Sequence, residues 1–179
     1  MTFAPGIPDF EIDTLGLLQR ILITTDGTVT DVLAVAFLEP IRLVKLSVTV
    51  APAPTPNSSL ELDAGATTMH RRIVLRGERT SANYAYAEVS IAADRLSAAL
   101  REDLLAGLMP LGQLWQTHRL ETWKERPTVR RRTAGSLSAH LDIAPDVELI
   151  HRSYRAFTAG HPVFHVEEFF PTRYPRQPA

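Results

Sequence analysis

The sequence predicts an α+β domain, a mostly antiparallel sheet with helices covering one face. Three observations carry that reading. Apolar periodicity runs as two short helices, three strands, one longer helix and then about three more strands, so strands come in runs rather than alternating with helices. The chain closes on a hairpin, 149–158 and 162–170, turned at Ala159-Gly160-His161. Its 179 residues suffice for a single domain with a substantial core.

Residues 1–12 hold two prolines and a glycine and read as a loose lead-in, 13–171 as the domain, and 172–179 as a tail. Asp13 or Thr14 caps a helix bearing Leu15, Leu18, Ile21 and Leu22, which Asp26-Gly27 ends. Thr28 or Thr30 starts a second helix over 32–37, stopped by Pro40. Branched residues over 41–50 predict the first strand. The proline-rich stretch 51–59 is either a surface connection or a flap over a pocket.

In the second strand, 69–76, Arg71 shares its face with Met69, Ile73 and Leu75. A guanidinium on an apolar face needs an anionic or hydrogen-bonding partner. Either a neighbouring carboxylate such as Glu88 or Glu167 pairs with it, or it holds the carboxylate of a ligand with its bidentate fork. The third strand, 84–91, alternates Tyr84, Tyr86, Glu88 and Ser90 with Ala85, Ala87, Val89 and Ile91. The small alanines fit close packing under a helix over 97–106, entered through Asp94 and carrying Leu96, Leu100, Leu104 and Leu108 on one stripe. A helical turn over 113–118, a half-wet strand over 120–129, a solvated basic turn at Arg130-Arg131-Arg132 and a short helix over 136–141 lead to the final hairpin.

On the return strand Val163, His165, Glu167 and Phe169 share one face, and Phe164, Val166, Glu168 and Phe170 the other. Adjacent Glu167 and Glu168 therefore point opposite ways, and at most one serves a pocket on a given face. Alternation alone does not say which.

Several classes are excluded or disfavoured. Charge is balanced, 19 basic against 20 acidic side chains, which argues against a general nucleic-acid binder. The absence of cysteine removes thiol catalysis, disulfides and thiolate metal sites. The N-terminus has no signal-peptide pattern, and no apolar run nears the ~20 residues that span a bilayer. Together these point to a soluble cytoplasmic chain. Phosphate-binding loops, HExxH, GxSxG and EF-hand patterns are missing, and His161 and His165 sit on a strand at a spacing that does not suit a metal.

Several separated pieces then fall into one order: 20–28 (RILITTDGT), 71–75 (RRIVL), 86–88 (YAE), 110–112 (PLG), 118–122 (HRLET), 152–155 (RSYR), and 160–162 (GHP) leading to 167–171 (EEFFP). This set resembles the chorismate pyruvate-lyase (4-hydroxybenzoate synthase) family, in particular its actinobacterial-type branch, over about 15–171. The resemblance implies a six-stranded antiparallel sheet with helices on one side, related to the UTRA effector domains, and an internal aromatic-acid site beneath flaps. It implies a cofactor-free, metal-free lyase that converts chorismate to 4-hydroxybenzoate and pyruvate. By position it makes Arg71 the holder of the ring carboxylate and Glu167 the residue facing the product hydroxyl; the apolar neighbours of Glu167 on the strand predict a raised pKa for it. Leu111 and Gly112 fall where backbone amides hold the carboxylate end.

Better-known members carry a second arginine where Glu88 stands here. Chorismate is a dianion, so its enolpyruvyl carboxylate still needs a cation, for which Arg152, Arg155 and Arg72 are the candidates. Two other expectations stay open: a free-standing binding module for aromatic acids, and a recruited enzyme acting on another aromatic or polyketide-like acid. The partner in every case is a small aromatic or cyclohexadienyl carboxylate rather than a nucleic acid or a membrane. The sequence carries no statement about oligomeric state.

Overall fold

Period-two alternation of branched and aromatic residues produces seven strands in the structure, a computed structural model that describes residues 11–174. They are β1 (Ile41–Pro52), β2 (Thr67–Gly77), β3 (Asn83–Ala92), β4 (Trp123–Lys124), β5 (Thr128–Thr133), β6 (Glu148–Thr158) and β7 (His161–Pro171). The sheet order is β1-β2-β3-β7-β6-β4, with β5 also pairing β6, and every ladder is antiparallel. The α+β class holds.

The seventh strand arises where the sequence suggested one. Pro127, without an N–H, interrupts 120–129, so only Trp123–Lys124 pairs there and a new strand starts at Thr128. Arg130, Arg131 and Arg132 thus lie in β5 rather than in a turn. The closing hairpin forms with a two-residue turn, Ala159 at φ 50° and Gly160 at φ 81°, the left-handed pair that such a tight turn requires.

Five α-helices form among the described residues: α1 (Leu17–Thr24), α2 (Val29–Phe37), α3 (Ala98–Ala106), α4 (Leu111–Thr117) and α5 (Ser138–Leu141). Neither Asp13 nor Thr14 caps α1. The Thr14 hydroxyl donates to the Glu11 carbonyl at 2.7 Å inside a preceding 3-10 turn, and Gly16 takes the cap position. For α3, the Ser97 hydroxyl accepts from the Leu100 amide at 3.3 Å, and Gly107 ends the helix at φ 68°.

Leu22, Ile23 and Leu33 from α1 and α2 pack on Ile73, Leu75, Ala87 and Phe170 of one sheet face. Leu100, Leu104, Leu114 and Trp115 from α3 and α4 cover Met69, Val89, Phe164 and Val166 on the same face. The opposite face is not bare: Leu137 and Leu141, around α5, cover Val74, Tyr86, Leu149 and Phe169. Helices therefore lie on both sides, unevenly.

The lead-in and tail fall mostly outside the described residues. Packing continues past Pro171. Tyr174 packs edge-on against Phe37, with ring centroids 5.0 Å apart, and donates its hydroxyl to the Tyr84 carbonyl at 3.0 Å. The proline-rich stretch 51–59 contributes no lining to the main cavity and acts as a connection, pinned by the bridge Asn57↔Leu62.

Candidate active site

The helix-covered face of the sheet encloses a cavity of about 580 Å³. Its floor is Arg71, Ile73 and Leu75 from β2, Ala87 and Val89 from β3, Tyr154 from β6, and Val166 and Glu168 from β7. Above it stand the loop Asp26-Gly27-Thr28 with the start of α2, and Leu111, Gly112 and Trp115 of α4, with Arg119 and Lys124 completing the wall. Gly112 is required by closeness: a Cβ there would collide with the Thr28 side chain, so only glycine lets α4 lie against the head of α2.

Arg71 is 2% exposed, and its parity on β2 places it among apolar neighbours as the alternation predicts. One Nη2 donates to the Met109 carbonyl at 2.5 Å, while its buried Nε has no hydrogen-bond partner. Among the described residues no carboxylate pairs with it. Burial pushes its pKa down to about 10, which leaves it a cation at neutral pH. Trp115 carries the other buried donor in the wall without a partner, its Nε1. A cavity with an unpaired cation and unspent N–H donors is suited to an anionic, hydrogen-bonding guest.

The buried carboxylate of the cavity is Glu168; Asp26 and Asp31, which also line it, are exposed. Arg152 Nε donates to Glu168 Oε2 at 2.7 Å, and Arg152 Nη1 reaches the carbonyls of Leu22 at 2.6 Å and Thr25 at 3.1 Å. Burial alone would lower the Arg152 pKa, but the Glu168 charge outweighs it and the pKa is raised. Burial and the same carboxylate raise the Tyr154 hydroxyl, which stays protonated. Arg152 thus braces Glu168 and ties β6 to α1. It lines the neighbouring cavity of about 400 Å³ rather than the main one.

Besides Arg152, the expected residues Glu167, Glu88, Arg155 and Arg72 lie away from the main cavity. Glu167 points to the opposite face, where His151 Nε2 is 3.1 Å away. That imidazole holds the Glu167 pKa below the usual carboxylate range, against the opposing effect of burial, so the expected elevation is reversed. Glu88 is the register partner of Glu167 and shares its face, accepting from the Tyr86 hydroxyl at 2.6 Å and lying 3.7 Å from Arg72 Nε. Arg155, also on that face, is clamped by Glu125, with Nη2 to Oε2 at 2.9 Å. The physical reason is parity: 167, 88 and 155 sit one residue out of step with the positions that face the helices. Leu111 and Gly112 do line the cavity, in the first turn of α4, where backbone amides have no intrahelical acceptor.

Residues that the sequence reading left out are Glu168, Tyr154, Trp115, Arg119 and Lys124. Glu168 had only half a signal: the two-residue turn alone would set Arg152 opposite Glu167, and the bulge between Ala156 and Phe157 shifts it opposite Glu168. For Lys124, on a two-residue strand, no such signal existed. Among the described residues no group of three or more His, Asp or Glu side chains is placed to hold a metal.

The model of the family "Chorismate pyruvate-lyase Rv2949c-like" matches residues 23–176. The chain belongs to that family. It is 30% identical over 168 residues to a chorismate pyruvate-lyase of Mycobacterium tuberculosis, covering 92% of this chain and 84% of that protein. A chorismate pyruvate-lyase of Mycobacterium leprae is also 30% identical, over 167 residues, with 89% and 77% covered. Membership assigns the chain to an enzyme family of lyases.

Among solved structures, PhnF from Mycobacterium smegmatis superposes with a TM-score of 0.68 at 13% identity, over 83% of this chain and 65% of that one. The C-terminal domain of the histidine utilization repressor from Pseudomonas syringae pv. tomato gives 0.61 at 15% identity, over 78% and 97%. At such identities the likeness concerns the fold alone, the one expected of a chorismate lyase-like, UTRA-related domain. No described helix is long and apolar enough to cross a membrane.

Proposed function

We propose that this member of the family releases pyruvate from chorismate and leaves 4-hydroxybenzoate, with the cavity under α2 and α4 as the reaction chamber. The observation that carries the reading is Arg71, a buried cation without a carboxylate of its own, opening on a cavity of about 580 Å³. A bound ring carboxylate supplies the missing counter-charge through the guanidinium fork. The free amides of Leu111 and Gly112, beside the Met109 carbonyl that holds Arg71, complete its cradle.

The elimination breaks the C–O bond to the enolpyruvyl group and removes the hydrogen from the neighbouring carbon that bears the hydroxyl. The ring becomes aromatic, and the three-carbon fragment takes up the proton and leaves as pyruvate. Because aromatisation drives the step, the protein's work is orientation, exclusion of water and placement of charge. Arg71 anchors the ring, Ile73, Leu75 and Val89 pack against its faces, and Glu168, braced by Arg152, faces the ring hydroxyl as a hydrogen-bond acceptor. In this assignment Glu168 takes the role the family resemblance gave to Glu167, because Glu168 lines the cavity.

A lactate-dehydrogenase-coupled assay reads pyruvate directly. Native protein is expected to release pyruvate from chorismate, and Arg71→Ala to lose at least ~10²-fold in kcat/KM. Absence of pyruvate from the native chain overturns the reading. Thermal stabilisation by 4-hydroxybenzoate without turnover would instead mark a binding module, and turnover of a different aromatic acid a recruited enzyme.

A further inference from the structure

The proposed substrate carries two carboxylates, and Arg71 accounts for only one. We infer that Lys124 is the cation that receives the second, enolpyruvyl carboxylate. The inference rests on the proposed lyase reading and extends it. Among the described residues three cationic side chains line the cavity: Arg71, Arg119 and Lys124. Arg152 is spent on Glu168 and two carbonyls, and Arg72 and Arg155 lie on the far face of the sheet. Arg119 is exposed, at a left-handed position (φ 48°) just past α4.

Lys124 is differently placed. Its side chain is 18% exposed, and Nζ lies 5.3 Å from the centroid of Trp115 and 5.9 Å from that of Tyr154, two residues of the cavity wall. The aromatic faces hold the ammonium without neutralising it. Its carboxylate partner is Asp26, with Nζ 3.3 Å from Oδ1 and 2.5 Å from the Asp26 carbonyl. The Asp26 side chain is 90% exposed, so water competes for its carboxylate and its hold on the ammonium is weak, leaving Lys124 open to a better anion.

Lys124 also borders the second cavity, of about 400 Å³, and Asp26, Thr122 and Tyr154 are shared between the two. A carboxylate held there sits at the partition with the second cavity, which Arg71 does not line. Once the ether bond breaks, the three-carbon acid is already at the boundary of a separate space lined by Thr25 and Arg126.

The test compares a dianion with a monoanion on the full-length chain. Lys124→Met removes the charge and keeps the length; Lys124→Arg restores it. Chorismate turnover and the binding of chorismate and of 4-hydroxybenzoate are measured for native, K124M, K124R and Arg119→Met. The expected result is that K124M weakens chorismate by about 10- to 100-fold, mainly in KM and Kd, the loss of one charge-assisted hydrogen bond. Affinity for 4-hydroxybenzoate stays near native, and K124R recovers most of the loss.

Equal losses for both ligands would reveal a structural role and overturn the inference, as would a selective loss in R119M but not in K124M. Should native protein bind chorismate without releasing pyruvate, the activity reading fails, while the same binding comparison still decides the role of Lys124. If it binds neither acid, both are overturned.

Discussion

At the scale of single residues, the site turns on which of two adjacent carboxylates faces the helices. Glu168 is 9% exposed against Arg152, whereas Glu167 lies beside His151 on the other face. Glu168→Gln is therefore expected to cut chorismate turnover by about 10²-fold or more. It also weakens the fold, because the buried Arg152 loses its counter-charge. Glu167→Gln is expected to leave turnover near native. A pyruvate assay on the two variants, with thermal melts alongside, decides between them, and the reverse ranking would refute the placement. Arg71 belongs to the same scale. Parity alone marked it as a cation on an apolar face, but its freedom from Glu88 and Glu167 needed the registers of β2, β3 and β7.

At the scale of elements, the cavity depends on how closely α4 approaches the head of α2. Gly112 and Thr28 are the contact, and Thr28 is itself fixed by its hydroxyl, which bonds the Asp31 carboxylate. Gly112→Ala must push these two segments apart. The expected outcome is a chorismate KM raised by at least ~10-fold, since an ångström of misplacement at an anion cradle is costly, with a modest change in melting temperature. An unaltered KM would mean that the approach of α4 does not shape the site.

At the scale of the whole molecule, Glu39 ties the helical layer to the sheet. It follows Leu38, which closes α2 at φ 53°, and precedes Pro40 and β1. Its carboxylate accepts from the Tyr84 hydroxyl at 2.5 Å, the Thr80 hydroxyl at 2.7 Å and the amides of Arg79 and Thr80 at 2.8 and 3.1 Å. Burial would raise its pKa, but these donors together hold it at about 2, below the ordinary 4.5. A depressed native pKa means that the contribution is complete above pH 4.5 and is lost as the pH falls towards 2. Glu39→Gln is expected to cost about 1–3 kcal/mol at neutral pH. The gap between native and variant melting temperatures should close over that acid interval; a gap independent of pH would sink the assignment.

The sequence by itself determined the α+β class, the closing hairpin and the burial of Arg71, because these follow from local periodicity, a turn with glycine, and the cost of an unpaired cation among apolar neighbours. The Arg152–Glu168 pair was not among these, because the bulge between Ala156 and Phe157 shifts the register by one and sets Arg152 opposite Glu168 rather than Glu167. Only the tertiary structure decided that Glu167, Glu88 and Arg155 face away from the cavity while Trp115, Tyr154 and Lys124 close it. Which face of a strand meets the helices, and which residue of a two-residue strand such as Trp123–Lys124 points inward, depends on partners distant in the chain. Local pattern carries no information about them.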